Sequence, residues 1–286
     1  MKAIIDFDIL RYEIGFGAET GWQTEGEIPP WDYVREMLHQ RLDYIMYMSG
    51  ADSYQGYLTE GPTFRFDIAK RKPYKGTRKE NKPWHYDNLS VYMKDVLDTV
   101  VVTNIEADDA MSIAHLNNKR YKTHTLIPGT LEYDNYPNTI LCTRDKDLRQ
   151  IPGLFYSWEL GRQPEFGPTM ITKEGSLELS KDKKKIIGTG LPFFYSQVLT
   201  GDTTDNIPGL PGCGPVAAYK ILAFGGDMLE AVKDAYQEYY NDYDNPIDTI
   251  LDTWEVELLE QGRLCWMTRR FNDDGTPQLW YLGLED

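Results

Sequence analysis

Apolar positions in the first two thirds of the chain follow both the spacing of strands and the spacing of helices. Short apolar or β-branched runs predict strands at 3–7, near 54–58 and at 139–143. Apolar side chains three or four residues apart predict helices at 31–49, 89–100 and 106–116. Strands and helices that alternate in this order predict an α/β fold, with a mostly parallel central sheet flanked by helices.

The last third of the chain is predicted to be mainly helical. Helical spacing covers 193–199, 216–224, 228–239 and 247–266, and Asn272-Asp273-Asp274-Gly275 indicates a hairpin turn near the end. The turn-rich segment 158–185 precedes these helices and predicts a hairpin. We therefore expect an α/β part at 1–190, which includes a basic segment at about 62–100, and a helical part at 191–286.

The composition is that of a globular protein. Of the 286 residues, 41% are hydrophobic, and no run of about 18 apolar residues predicts a membrane span. The three cysteines, at positions 142, 213 and 265, are too widely spaced to indicate a disulfide framework or a zinc site. We expect a cytoplasmic protein that does not contact membranes.

The net charge of −15 alone argues against nucleic acid as a partner, but the charges are unevenly distributed. Between residues 65 and 82 lie eight basic residues and two acidic ones, and a second basic run covers 181–185. Acidic residues concentrate elsewhere, notably at 227–260. Such a distribution favours binding of a polyanion to one face while the rest of the surface repels it.

Nine acidic residues form four groups, each at the predicted end of a strand or start of a helix. The groups are Asp6 and Asp8; Glu106, Asp108 and Asp109; Asp145 and Asp147; and Asp202 and Asp205. Any one group is more often a helix cap or a turn than a functional site. Four such groups favour a shared role, because gathered carboxylates repel one another unless a cation such as Mg²⁺ holds them.

Paired ions are well suited to phosphodiester hydrolysis. One ion activates the attacking water and the other stabilises the leaving oxygen, at a separation of about 4 Å. The spacing of two between Asp145 and Asp147 places both on one face of an extended strand end. The spacing of three between Glu106 and Asp109, and between Asp202 and Asp205, places each pair on one helix face. We interpret the acidic groups as a metal site for cleavage of nucleic acid.

The basic segment and a Gly/Pro-rich turn supply candidate contacts to nucleic acid. Tyr74 could stack on a base, and Lys75 and Arg78 could neutralise the charge of the scissile phosphate. The glycines of 208–215 lead into a helix whose free N–H groups suit a phosphate. The alternatives are a solvated basic loop for the first feature and a helix-packing corner for the second.

Taken in order, these motifs resemble the 5′-nuclease superfamily of flap endonucleases, the 5′-nuclease domains of bacterial DNA polymerases and phage 5′→3′ exonucleases. The motifs are Ile5-Asp6-Phe7-Asp8, Phe64-Arg65 with Tyr74-Lys75-Gly76-Thr77-Arg78, Glu106-Ala107-Asp108-Asp109, Asp145-Lys146-Asp147-Leu148, and Gly201-Asp202-Thr203-Thr204-Asp205 followed by Gly212-Cys213-Gly214. The layout is most similar to replication exonucleases of T-odd coliphages.

The resemblance implies a PIN-like 5′-nuclease core and a helix-three-turn-helix motif. It implies two Mg²⁺ or Mn²⁺ ions, with K⁺ at that motif, and a monomer that acts on duplex DNA with a 5′ end, on a flap or on an RNA–DNA hybrid. The expected metal-binding residues are Asp6, Glu60, Glu106, Asp108, Asp109, Asp145, Asp147, Asp202 and Asp205. Lys75, Arg78 and the central Asp108 are the expected catalytic residues. The expected DNA contacts are Arg65, Arg71, Tyr74, Lys79, Lys82, Gly212, Gly214 and Lys220.

Two positions depart from the family pattern. The family has an Asp four to six residues before the Phe-Arg pair, where Glu60 is the nearest acid in this chain. A family Lys after the second hairpin glycine is replaced by Val216, and Lys220 lies four residues further on the same helix face. Two other functions stay open, a structure-specific DNA-binding protein without catalysis and a PIN-like ribonuclease, although the latter usually lacks the hairpin.

Overall fold

Strand β1 (Lys2–Asp6) lies within a six-stranded sheet. The computed structural model describes residues 1–22, 26–78, 81–117, 138–223, 226–242 and 254–282. The chain divides into two units. The first comprises Met1–Pro62, Glu80–Leu148 and Gly153–Met170, and the second comprises Thr63–Lys79, Arg149–Pro152 and Ile171–Asp286. The predicted boundary near residue 190 therefore lies inside the second unit, which also includes residues 63–79 of the basic segment.

The sheet confirms the predicted α/β class. Its strand order is β3-β2-β1-β4-β5-β6, and β1 pairs in parallel with both β2 and β4, as β4 does with β5. The other strands of the sheet are β2 (Ser53–Thr63), β3 (Thr99–Asn104), β4 (Thr139–Cys142), β5 (Gly153–Ser157) and β6 (Phe166–Ile171). In the second unit, β7 (Ser176–Leu179) and β8 (Ile186–Thr189) form a separate two-stranded antiparallel sheet.

Nine α-helices occur in the described part of the chain, and most of them match a predicted segment. They are α1 (Phe7–Gly21), α2 (Trp31–Ser49), α3 (Phe64–Ile68), α4 (Tyr86–Val96), α5 (Ala107–Asn117), α6 (Gly190–Thr200), α7 (Pro215–Ala223), α8 (Met228–Asp242) and α9 (Trp254–Cys265). The predicted helix ends at Phe224 and at 247–253 lie outside the described residues. In the described ranges, none of the helices has both the length and the apolar character that crossing a bilayer requires.

Helices α4 and α1 differ from the sequence prediction. The helix predicted at 89–100 ends at Val96, because the β-branched run Thr99–Thr103 forms β3 instead. Helix α1 was not predicted, and it starts directly after β1 with Asp6 as its N-cap. This immediate strand-to-helix connection fixes both Asp6 and Asp8 at the carboxyl end of β1.

Each unit has its own apolar core. In the first unit, Ala3 and Ile5 of β1 pack in one buried cluster with residues of α1, α2 and α4, such as Leu10, Leu38 and Met93. In the second unit, Phe194 of α6 packs edge to face on Trp266 and Trp280, at centroid distances of 4.9 and 5.5 Å. The first core supports the sheet edge that carries the acidic residues.

Candidate metal centre and DNA-binding segments

Asp6 is a buried carboxylate at the carboxyl end of β1. Its Oδ1 accepts a hydrogen bond from the Ile9 backbone N–H at 3.1 Å, which caps α1, and its Oδ2 accepts one from Thr143 Oγ1 at 2.9 Å. The side chain is 1% exposed. Burial, and then the negative charge of Asp8, raise the pKa of Asp6 to about 7.

Asp8 lies in the first turn of α1 and faces Thr59 of β2. The Thr59 hydroxyl donates to Asp8 Oδ2 at 2.5 Å, and the Thr59 backbone N–H lies 3.2 Å from each Asp8 oxygen. Arg11, one turn further on, donates to Asp8 Oδ1 at 2.5 Å. Burial raises the pKa of Asp8, the Arg11 charge opposes the shift, and Glu106 adds to it. Asp8 belongs to the same acidic group as Asp6 but is not among the metal-binding residues expected from the sequence.

Phe7, between these two acids, explains why residue 56 of the neighbouring strand is glycine. The ring of Phe7 is fully buried and lies against the Gly56 backbone. A Cβ at position 56 would come within 2.2 Å of that ring. Any side chain there would displace Phe7, and with it the Asp6 and Asp8 carboxylates on either side.

Asp145 and Asp147 follow the end of β4, the strand next to β1. The Asp145 backbone N–H donates to Thr143 Oγ1 at 2.9 Å, and Asp145 Oδ1 accepts from the Asp147 N–H at 2.8 Å. Thr143 is thus hydrogen-bonded to both Asp6 and the start of this turn. The Asp145 charge also contributes to the raised pKa of Asp6, which places the two carboxylates near each other.

The acidic group of Glu106, Asp108 and Asp109 lies at the start of α5. Asp109 is fully buried, and its Oδ2 accepts a long hydrogen bond of 3.4 Å from the Glu106 backbone N–H. Asp108 is partly exposed, whereas Glu106 is buried and its charge reaches Asp8. Asp109 is the third residue of α5, and its contact with the Glu106 N–H is the N3 contact of a capping box, so Glu106 and Asp108 are the better candidates for contact with a cation.

Glu60 is separate from this group, contrary to its expected role. It is exposed, and its Oε1 accepts a hydrogen bond from Lys94 Nζ of α4 at 2.5 Å. Because side chains alternate along a strand, Glu60 points away from the face on which Thr59 meets Asp8. Glu60 is therefore directed away from the acids at this site, and its expected role as a metal ligand stays a prediction.

The acidic group of Asp202 and Asp205 belongs to the second unit, where Asp205 contacts the basic segment. Asp202 is buried and its Oδ1 accepts from the Thr204 N–H at 2.7 Å. Asp205 forms an ion pair with Arg78 and accepts from the Tyr74 hydroxyl at 3.0 Å. Asp205 therefore positions Arg78 and Tyr74, which are both expected to contact nucleic acid. Its own role as a metal ligand stays a prediction.

Two residues that were expected to contact DNA are buried. Tyr74 is 4% exposed and packs edge to face on Phe66 at 5.4 Å, so stacking on a base would require its ring to move. Arg65 is fully buried and donates to the backbone carbonyl oxygens of Leu264 and Trp266, at 3.2 and 2.7 Å. Both side chains hold the second unit together.

The remaining residues of the basic segment are more accessible. Arg78 is exposed and Lys75 is partly exposed, with a left-handed backbone at φ 55°. Arg71 pairs with Glu257, and the exposed Lys82 lies over the Tyr86 ring at 4.6 Å. Lys79 lies outside the described residues.

We expect Arg65→Ala to lower the free energy of unfolding by about 3 kcal/mol, because it leaves two buried carbonyl oxygens without their charged donor. Chemical denaturation followed by circular dichroism measures the change. Arg162→Ala, at an exposed position, is the control and should leave stability unchanged. Equal stability of both variants would show that the Arg65 contacts contribute little.

The Gly/Pro-rich turn leads into α7 as the sequence predicted. Gly212, at φ 77°, and Gly214 are both exposed, and a Cβ at either would meet no atom within 4 Å. Pro215 is the first residue of α7, and Lys220 is exposed on it. A ligand can therefore approach the backbone at Gly212 and Gly214 closely.

Two solved structures share this architecture over most of its length. The flap endonuclease of bacteriophage T5, in a pseudo-enzyme–product complex with DNA and metal ions, superposes with a TM-score of 0.53 at 15% identity, covering 93% of this chain and 89% of that chain. A second structure of the T5 protein, co-crystallised with metal ions, has a TM-score of 0.50 at 16% identity and covers 92% and 88%. The chain has the fold of the T5 5′-nuclease. No family model and no curated protein sequence matches it.

In this T5 5′-nuclease fold, the donor chemistry of the first unit fits a hard divalent cation. The carboxylates of Asp6, Asp8 and Asp145 lie near enough to raise the pKa of Asp6, and a cation would remove that repulsion. Among the described residues, no three acidic, histidine or cysteine side chains already stand in the geometry of an ion site. Binding an ion therefore requires side chains such as the partly exposed Asp108 to turn towards it.

Proposed function

We propose that this protein is a metal-dependent 5′ nuclease that hydrolyses DNA phosphodiester bonds near 5′ ends. The observation that carries the proposal is the gathering of Asp6, Asp8 and Asp145 at the carboxyl ends of β1 and β4, in the fold of a phage 5′-nuclease. In parallel sheets, ligands bind at that edge. Both 5′→3′ exonuclease action and cleavage of flaps or RNA–DNA hybrids are included in the proposal.

In the first unit, Asp6, Glu106, Asp108, Asp145 and Asp147 would hold two Mg²⁺ or Mn²⁺ ions. Such ions lower the pKa of bound water and stabilise negative charge on the leaving oxygen. Thr143 orients the Asp6 carboxylate through its 2.9 Å hydrogen bond, and the Asp147 N–H orients that of Asp145. These hydrogen bonds fix the carboxylates before any ion arrives.

In the second unit, Lys75, Arg78 and Lys220 would bind phosphates of the DNA backbone, and the Gly212–Gly214 turn would approach it through main-chain N–H groups. Asp205 holds Arg78 within this segment. A K⁺ ion at the turn, and metal binding by Asp202 and Asp205, stay predictions. We also propose that the protein acts as a monomer in the bacterial cytoplasm, in phage DNA replication or primer removal.

Cleavage assays on end-labelled substrates separate this function from its rivals. A 5′ flap, a blunt DNA duplex and an RNA duplex are each incubated with Mg²⁺ or with EDTA. Metal-dependent products from the DNA substrates are the expected result. Products from RNA alone would indicate a ribonuclease, and binding to DNA without any product would indicate a binding protein.

Lys220→Ala is expected to weaken duplex binding and to reduce the slope of log affinity against log salt concentration by about 0.9, the contribution of one phosphate contact. Fluorescence anisotropy at several salt concentrations measures it, with EDTA present to prevent cleavage. Lys173→Ala, which removes an exposed lysine elsewhere in the second unit, is the matched control. An unchanged slope in the Lys220 variant would remove this residue from the interface.

A further inference from the structure

Asp8 and Thr59 form a second carboxylate–threonine pair beside that of Asp6 and Thr143. In each pair, a threonine hydroxyl on one element donates to a carboxylate on another, at 2.5 Å for Thr59 and 2.9 Å for Thr143. Each hydroxyl also accepts a backbone N–H, from Ala107 at 2.8 Å and from Asp145 at 2.9 Å. Each threonine therefore ties a carboxylate of the β1–α1 connection to the start of another acidic group.

Asp8, which accepts the hydrogen bond of the Thr59 hydroxyl, has acceptor capacity left for a further ligand. Three donors reach the Asp8 carboxylate: the Thr59 hydroxyl at Oδ2, Arg11 at Oδ1, and the Thr59 N–H, which is shared between the two oxygens. A carboxylate has about four acceptor sites, and the Asp8 side chain is 27% exposed. Asp8 can therefore keep its hydrogen bonds while one oxygen contacts a cation.

We propose that Asp8, held by Thr59, is the metal-binding carboxylate that this chain uses in place of Glu60. The inference rests on the proposed metal-dependent function. Thr59 lies five residues before Phe64, within the interval in which a strand carboxylate was expected, and there it contacts Asp8 instead. Helix α1 thus supplies the negative charge, and Thr59 acts as the positioning residue.

The test is the affinity of the DNA-free protein for Mn²⁺, measured by electron paramagnetic resonance of the free ion. Asp8→Asn and Thr59→Val are each expected to weaken binding by at least about tenfold, the usual effect of losing a ligand or its orienting hydrogen bond. Thr59→Ser keeps the hydroxyl and should bind as the wild type does. Glu60→Gln should also leave the affinity unchanged.

An exchange of the two residues is the sharpest variant. Because the side chains face each other across one hydrogen bond, Asp8→Thr combined with Thr59→Asp returns a carboxylate to the same place from the strand. The double variant should recover most of the affinity that Asp8→Thr alone loses. Thermal unfolding of each variant shows that it is folded, and if Asp8→Asn fails to fold, Thr59→Val and the exchange decide.

Asp145→Asn serves as the reference that separates the two proposals. If it weakens Mn²⁺ binding while Asp8→Asn binds as the wild type does, the Asp8 inference is wrong and the metal-dependent function stands. If the wild-type protein binds no Mn²⁺, the proposed function fails and the inference fails with it. Loss of affinity in Glu60→Gln but not in Asp8→Asn would return the role to Glu60.

Discussion

Cleavage of 5′-labelled DNA is expected to fall by at least about a thousandfold when Asp145→Asn and Asp147→Asn are combined, whereas duplex binding stays measurable. The two acids follow β4 and are fixed by the hydrogen bonds of Thr143 and the Asp147 N–H. Their amide replacements keep the shape and remove two negative charges that would bind the catalytic ions. A thousandfold loss equals about 4 kcal/mol of transition-state stabilisation, within the range of metal-ion catalysis.

Product formation on a 5′ flap and retention of the same DNA in a binding assay are measured together. Asp43→Asn combined with Asp95→Asn, which removes two exposed acids of the first unit, is the matched control and should cleave at the wild-type rate. Wild-type cleavage by the Asp145/Asp147 variant would show that these acids do not take part. Loss of both cleavage and binding would point to misfolding, which circular dichroism detects.

Metal-free protein is expected to lose about 3 kcal/mol of stability between pH 5 and pH 8, and divalent cations should restore it. Burial and the Asp8 charge raise the pKa of Asp6 from 3.8 to about 7 in the folded state. A raised folded-state pKa contributes stability that is complete below the unfolded value and is lost as the pH rises to about 7. Each pH unit of that interval corresponds to about 1.4 kcal/mol.

Chemical denaturation at pH 5 and pH 8, with EDTA or with Mg²⁺, measures this linkage. A bound cation offsets the Asp6 charge, so stability in Mg²⁺ should depend far less on pH. Asp6→Asn, which keeps the shape without the charge, should reduce the pH dependence in EDTA, and the part that remains belongs to other buried carboxyls such as Asp8. If the stability of the wild-type protein in EDTA does not depend on pH, the pKa of Asp6 is not raised in the metal-free protein.

The sequence predicts the carboxyl ends of the central strands well, because local apolar patterns determine where these strands end. The apolar runs that end at Asp6 and before Thr143 became β1 and β4, and those strands are neighbours in the sheet. Parallel neighbours bring their carboxyl ends together, so Asp6 and Asp145 both follow strand ends that lie side by side, as the apolar runs predict. The start of α5 at Ala107 was recovered for the same reason, since acids in the first turn indicate a helix N-terminus.

The sequence does not predict contacts between segments far apart in the chain. Arg65 and Tyr74 look like solvent-exposed members of a basic segment, yet partners 130 to 200 positions away bury them. Glu60 looked like a ligand because it was the nearest acid, whereas strand alternation directs Thr59 towards Asp8. Asp8 and Thr59 are 51 residues apart in the chain. The one local signal for this contact is that Asp6 and Asp8 flank a single apolar residue, Phe7.

Anomalous diffraction from a crystal soaked in Mn²⁺ tests the central claim most directly, because it locates the ion without relying on activity. The account predicts an anomalous peak beside the carboxylates of Asp6 and Asp145, at the carboxyl ends of β1 and β4. An intact fold with no peak among these carboxylates, at a Mn²⁺ concentration that supports cleavage, would contradict it.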